Sequence, residues 1–508
     1  MNNHWGHTLD GYACQYDLLG ERTNVTRNLG LTASTVFAGY DSIGQLTSWG
    51  AVETNGTARL NEQLGWAYDA AGNLRARTNG ALVQTFTVDA VNELTNVSRA
   101  GAFTLAGAAP APATNVTVNG LAAQIYSDFT FARTNLTLAN GQNSFTNIAA
   151  NIYGAKVTNT LTVNLPQSVA LAYDSNGNLT NDGLRSLAYD AENQLTNVTV
   201  ASQFNRLLKN DFWNTFSCEN PNDFDGRVFK TGLFQHPVKK DFAYDGLNRL
   251  RIKREYSWTG STWSKSNEVR YIWDGDVIVQ LRDSNNVPTL TLTRGLDLSG
   301  SLQGAGGIGG LLAMTEASGT SSYYHSDGNG NITGLIDAQE NMVARREYDA
   351  FGRTINLNGN KAAVNPFWFS SQLHDETTDY YHYKYRAYSP VLQRWLNKDP
   401  LAELGGINLY EFADNVPINS YDPDGLLPPS NPKCQAIAKK IANLQKEIAD
   451  RTRELYEDPL GLPSWDRAWH QRILNEMKAN LAAQKAKCYE LFCHRKNCRT
   501  GIVGFVDV

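Results

Sequence analysis

The chain has 508 residues, 42% of them hydrophobic, enough to bury a large core spread over several units. Lys+Arg 45 against Asp+Glu 50 leaves a net charge of -5, and cations gather only after Lys433, so the bulk surface offers no electrostatic footprint for nucleic acid. No run approaches the roughly 20 apolar residues of a membrane span, and the opening MNNHWGHTLDGY has neither a basic nor an apolar leader region.

From the start of the chain a Tyr-Asp unit followed by a turn and a Leu keeps returning, clearest in Tyr68-Asp69-Ala70-Ala71-Gly72-Asn73-Leu74. It recurs at Tyr16, Tyr40, Tyr173, Tyr189, Tyr244 and Tyr348, with a degenerate copy from Val88. Each copy reads as a β-hairpin. Asp bonds the backbone ahead, Gly or Asn takes positive φ, and Thr and Val favour the outgoing strand. An isolated hairpin is marginal in water, so the copies are expected to lie side by side in a long antiparallel sheet. The unequal spacing excludes a strict solenoid.

Residues 1–107 and 167–322 are therefore expected to be repeat sheet. Residues 108–166, rich in Ala, Thr, Asn and Val with alternating runs such as NTLTVNL, read as an inserted β-sandwich-like module. The stretch near 204–239 fits no period. Beyond residue 426 the composition shifts, with Pro428, Pro429 and Pro432 as a breaker. In 427–508 two apolar stripes, Cys434, Ile437, Ile441, Leu444 and Ile448, then Trp469, Ile473, Met477 and Leu481, predict a small helical hairpin.

Several motifs are weak. Gly304-Ala305-Gly306-Gly307-Ile308-Gly309 matches G-x-G-x-x-G but lacks the strand-before, helix-after setting of a dinucleotide site, so a turned connector is expected. The stretches from Asp174 and Asp327 imitate calcium loops, yet Leu179 and Ile332 stand where Gly is required, and they read as the repeat's own turns. Asn-x-Thr triplets such as Asn24-Val25-Thr26 follow from the repeat consensus. His325, His374 and His382 have no Ser or Cys nucleophile at a recognisable spacing. Cys14 and Cys218 stand alone. Cys434, Cys488, Cys493 and Cys498 leave disulfide, free thiol and zinc open, and no metal or cofactor site is assigned.

Residues 323–426 carry a YD unit ending in Phe-Gly-Arg (348–353), Tyr-Arg-x-Tyr-x-Pro (385–390), Arg-Trp followed by Asp-Pro (394–400), Asn-Leu-Tyr (408–410) and Asp-Pro-x-Gly-Leu (422–426). This segment closely resembles the Rhs repeat-associated core of Rhs/YD-repeat proteins of the polymorphic-toxin type. The resemblance implies a mainly β fold: a spiralled antiparallel shell enclosing a variable C-terminal polypeptide, with the core segment plugging one end. It also implies self-cleavage after the final Leu, here the Leu426–Leu427 bond.

Two carboxylates brought close can share a proton, one serving as base toward water and the other as acid. Asp399 and Asp422 are the candidates, with Asp414 a rival for the second role and Arg394 to orient a carboxylate or stabilise the oxyanion. The plain alternative is that both aspartates merely begin Asp-Pro turns. The expected partner is the chain's own enclosed tail, with a secretion apparatus, an immunity protein or cell-surface carbohydrate beyond it, and a secreted or cell-surface location. A competing reading is a structural or adhesive surface protein that delivers nothing. Because the chain begins amid repeats, a fragment or donor cassette of a longer gene is a further expectation.

Overall fold

The computed structural model describes residues 8–426 except 31, 110–111, 201–213 and 216–236, and, in the tail, 444, 447–448, 450–452 and 464–493. The fold is mainly β. A nine-stranded sheet runs in chain order from Gly11–Tyr16 to Leu94–Gly101 and ends on Ser168–Ala170. A fourteen-stranded sheet then runs from Ala172–Tyr173 to Thr354–Asn358 in chain order, every pair antiparallel, with only Asn214–Thr215, a strand of another sheet, intervening in sequence among the described strands.

The repeat builds these sheets by a fixed device. In each YD turn the Asp Oδ1 accepts the amides two and four residues on, as Asp69 does from Ala71 and Asn73. The turn closes at a residue of positive φ, Gly72 at 76° or Asn92 at 65°, which is why the repeat places Gly or Asn there. Three of the tyrosines donate to the repeat before. Tyr40 Oη donates to the Arg22 carbonyl (2.6 Å), Tyr244 Oη to Leu195 (3.0 Å) and Tyr348 Oη to Ile332 (2.6 Å). In these three cases the acceptor lies five residues beyond the preceding repeat's Asp, so these contacts hold the hairpin in register with the one before it.

Residues 103–165 supply one four-stranded sheet and three strands of a second, whose fourth strand, Asn214–Thr215, pairs parallel with Phe103–Ala108, and they have their own buried cluster around Phe103, Val116, Phe131, Phe145 and Leu161. Arg59 ties this unit to the nine-stranded sheet through Glu53 (2.6 Å), Glu62 (2.5 Å) and Asp128 (2.9 Å). The two large sheets are themselves joined where Arg27 meets Glu62 (2.8 Å) and Glu347 (3.5 Å), and where Asp10 meets His325 (2.7 Å).

The segment after Asn358 is packed between them. Trp368, Tyr380, Tyr381, Tyr388, Trp395 and Phe412 are almost fully buried and belong to one apolar cluster with inward residues of both sheets, such as Trp49, Phe86, Leu187 and Leu335. Tyr388 stacks on Phe412 at 4.0 Å between ring centroids, and Tyr383 meets Trp395 edge-on at 4.9 Å.

In the tail, helix Ser464–Cys493 is described and rests on the Ala402–Gly405 turn, with Leu474 buried and Trp469 half exposed. Most of the first expected helix lies outside the described residues, as do Cys218, Cys434, Cys498 and the side chains of Cys488 and Cys493. The Gly304–Gly309 stretch is a run of turns. Its Ala305 and Gly307 amides already donate to Asp297 Oδ2 (2.7 and 3.2 Å), which fills the cradle an anion would need. Asp174 and Asp327 likewise spend Oδ1 on their own turn amides.

Candidate functional site

The YD turns fall at one end of each large sheet, the rim, because in the antiparallel chain-order sheets each of them follows every second strand. The segment 394–419 is seated along that rim, meeting turn after turn. Asn415 donates to Gln45 (3.0 Å) and Gly72 (2.7 Å), and Tyr410 to Gly177 (2.8 Å). Asn397 donates to the Asn193 carbonyl (3.2 Å), and Asn419 accepts from the Arg22 amide (3.1 Å). This seating fixes the backbone that carries Asp399.

Asp399 and Asp422 are both buried, at 6% and 1% exposure, and both pair with one guanidinium, that of Arg386. Arg386 Nη2 lies 2.8 Å from Asp399 Oδ2 and 3.5 Å from Asp422 Oδ2. The same side chain donates to the carbonyls of Gly425 and Leu426, the latter at 3.3 Å. The Tyr385 amide holds the Asp424 carbonyl at 3.0 Å, so the end of the core segment is gripped residue by residue.

The turn roles expected of an Asp-Pro start are also present. Asp399 Oδ1 accepts the Leu401 amide (2.8 Å), and Asp422 Oδ1 accepts those of Gly425 (2.9 Å) and Leu426 (3.0 Å). Each carboxyl therefore uses one oxygen locally and presents the other to Arg386. Two glycines permit the close packing. A Cβ on Gly425, at φ 81°, would press on Tyr383, Arg386 and Trp395, and one on Gly306 would stand 2.3 Å from the Pro423 carbonyl oxygen.

Burial pushes the Asp399 carboxyl up to about 7, against the lowering effect of Arg386 and with the Asp422 charge adding to the rise. Burial raises Asp422 to about 6, again opposed by Arg386 and by its turn amides, with Asp424 raising it further. Burial also lowers Arg386 from its ordinary value, against both carboxylates. The site thus holds two carboxyls of unequal acidity at one cation, beside the Leu426 carbonyl.

The other sequence candidates lie elsewhere. Arg394 sits over the Tyr410 ring at 4.4 Å and donates to the Asn92 carbonyl, a seating contact on the rim. Asp414 is exposed, in the Ala413–Asn415 turn with φ 54°. Leu426 is buried at 4% exposure, and Leu427 lies outside the described residues. Arg386 was not singled out from the sequence, although it is the Arg of the Tyr-Arg-x-Tyr-x-Pro motif. Among the described residues no cluster of His, Cys, Asp and Glu could hold a metal, and no helix is long and apolar enough to cross a membrane.

Residues 306–418 match the family model described as Teneurin YD-shell. The chain is 26% identical over 307 residues to the tRNA3(Ser)-specific nuclease WapA of Bacillus spizizenii, covering 59% of this chain and 11% of that protein. It is 31% identical over 130 residues to toxin subunit YenC1 of Yersinia entomophaga, covering 25% of this chain and 13% of the relative. Over 66 residues, 13% of this chain and 5% of the relative, it is 44% identical to toxin protein Tse5 of Pseudomonas aeruginosa. A solved structure of TcdB2-TccC3 aligns with 82% of this chain and 21% of that one, at 15% identity and a TM-score of 0.38. The matched stretches are thus a small part of each of these relatives. With repeat, rim and matched segment in place, the chain is a YD-repeat protein whose residues 306–418 match the Teneurin YD-shell model and whose similar proteins include toxins.

Proposed function

We propose that this chain is a toxin-related Rhs shell protein that cuts its own backbone once, after Leu426, separating the variable tail from the core segment. The observation that carries this reading is one guanidinium, Arg386, contacting Asp399, Asp422 and the Leu426 carbonyl together. Asp422, the stronger acid of the two, serves as base and takes a proton from water as that water adds to the Leu426 carbonyl carbon. Arg386 meets the negative charge that develops on the carbonyl oxygen. The C–N bond then breaks, and Asp399 supplies the proton that the Leu427 nitrogen requires. The products are a Leu426 carboxylate and a new amino terminus, with no cofactor in any step. Release of a tail in intercellular competition, from a secreted or delivered protein, is the biological role that fits.

The test is intact mass under denaturing conditions for the wild type beside Asp399→Asn and Asp422→Asn, both of which keep the turn-accepting oxygen. The expected result is a wild type split after Leu426 with both variants whole. An uncut wild type would instead favour the structural or adhesive surface-protein reading and leave both aspartates as turn residues.

The rate should also follow pH in a bell. Below about pH 6 Asp422 gains a proton and the base is lost, and above about pH 7 Asp399 loses its proton and the acid is lost. A cleavage time course from pH 4 to 9, each about two units beyond these values, is expected to peak between them. A rate that climbs steadily to pH 9 would exclude this assignment of acid and base.

A further inference from the structure

The strand Lys156–Leu165 pairs over all ten residues with Gly141–Ala150 without a register shift, and no described strand pairs with its other side. It is the longest edge strand among the described residues, the others having two to six. Proteins ordinarily blunt such edges with charge, proline, bulges or shortness, because the unsatisfied row of amides and carbonyls is a template for another strand. This one has no proline, no bulge and a single charge, Lys156 at its end.

We propose that this edge is an interface with a second copy of this chain, the two strands pairing antiparallel about a two-fold axis at Thr160. The sequence is self-complementary in that register. Thr160 faces its own copy, Thr158 faces Thr162, Lys156 faces Asn164 and Val157 faces Val163, so outward residues meet outward ones and the lone cations stay apart. The same hydroxyl pairing already exists one strand inward, where Thr160 meets Thr146 at 3.0 Å and Thr162 meets Ser144 at 3.2 Å. Thr158, Thr160 and Thr162 are all exposed and free to extend that ladder. The Leu165 carbonyl is already taken by Arg99 at 2.6 Å, which sets the pairing over 156–164 and places Thr160 at its centre.

The experiment is sedimentation of the full chain at about 100 µM, a concentration suited to a small interface of micromolar affinity. The wild type is expected to be a dimer. Thr160→Lys, which sets two cations opposite each other, should weaken dimerisation by roughly tenfold or more. Ser144→Lys, one strand inward on the same face, should not. An equimolar mixture of Thr160→Lys and Thr160→Glu chains should recover the dimer, which a damaged fold would not do. A monomeric wild type, a Thr160→Lys chain as dimeric as the wild type, or a mixture no better paired than Thr160→Lys alone would each overturn the proposal.

Discussion

Replacing Arg386 with Met is expected to leave the chain uncut and to cost about 3–5 kcal/mol of stability, the range for removing one partner of a buried ion pair. The side chain is 4% exposed and faces two carboxyls and three carbonyls, those of Leu409, Gly425 and Leu426. Met fills much of the volume but supplies no donor, so the two aspartates lose the charge that holds them down. Both then rise further and are protonated at neutral pH, which removes the base. Arg386→Lys restores charge without the planar fork that reaches carboxylate and carbonyl together, so cleavage should be slowed by about tenfold or more and its pH profile displaced upward. Arg394→Met is the contrast, since its guanidinium serves the rim. Intact mass over time, with urea melts of each variant, checks all three. If Arg386→Met cuts at the wild-type rate, the geometry around Leu426 has no catalytic role.

Asp375→Ala is expected to destabilise the protein by about 3–5 kcal/mol as well, for a structural reason. Asp375 accepts from Lys240 at 2.6 and 2.7 Å and from Lys253 at 3.1 Å, joining strands Val238–Tyr244 and Leu250–Trp258 to the segment between the sheets. Lys240 is only 2% exposed and would be left facing a single half-buried Glu255. The two lysines hold the Asp375 carboxyl well below the usual range despite the opposing effect of burial. The folded state therefore favours the charged form. That contribution is complete above the unfolded value near 4 and is lost as pH falls below it. The urea midpoint of the variant should lie well below that of the wild type at pH 7, and the gap should narrow only below about pH 4. A gap already closed at pH 5 would mean that the ion pair is not what holds this junction.

Both effects share a cause. The segment 359–426 has little regular structure of its own, only short strands such as Leu373–Asp375 and Arg394–Trp395 and a few turns. It is ordered instead by what surrounds it: aromatic packing toward the sheets and polar contacts along the rim. Substitutions at those contacts should therefore disturb the site even when they lie far from it in sequence.

The sequence by itself determined the repeating unit. Tyr, Asp, Gly or Asn, and Leu at fixed offsets encode a hairpin through local hydrogen bonds and one positive-φ position, and local rules are legible without a fold. It also pointed to Asp399 and Asp422 as candidates, through the Asp-Pro steps at 399–400 and 422–423. What only the tertiary structure decided is which cation serves them. Arg386 and Arg394 stand eight residues apart in one motif-rich stretch, both flanked by aromatics, and nothing local separates them. The strand pairs Ala387–Ser389 and Arg394–Trp395 turn one guanidinium inward onto Asp399 and Asp422 and the other outward onto Tyr410 and the rim. That choice depends on contacts with Asn92, more than 300 residues away in sequence, and such long-range packing leaves no periodic trace in the chain.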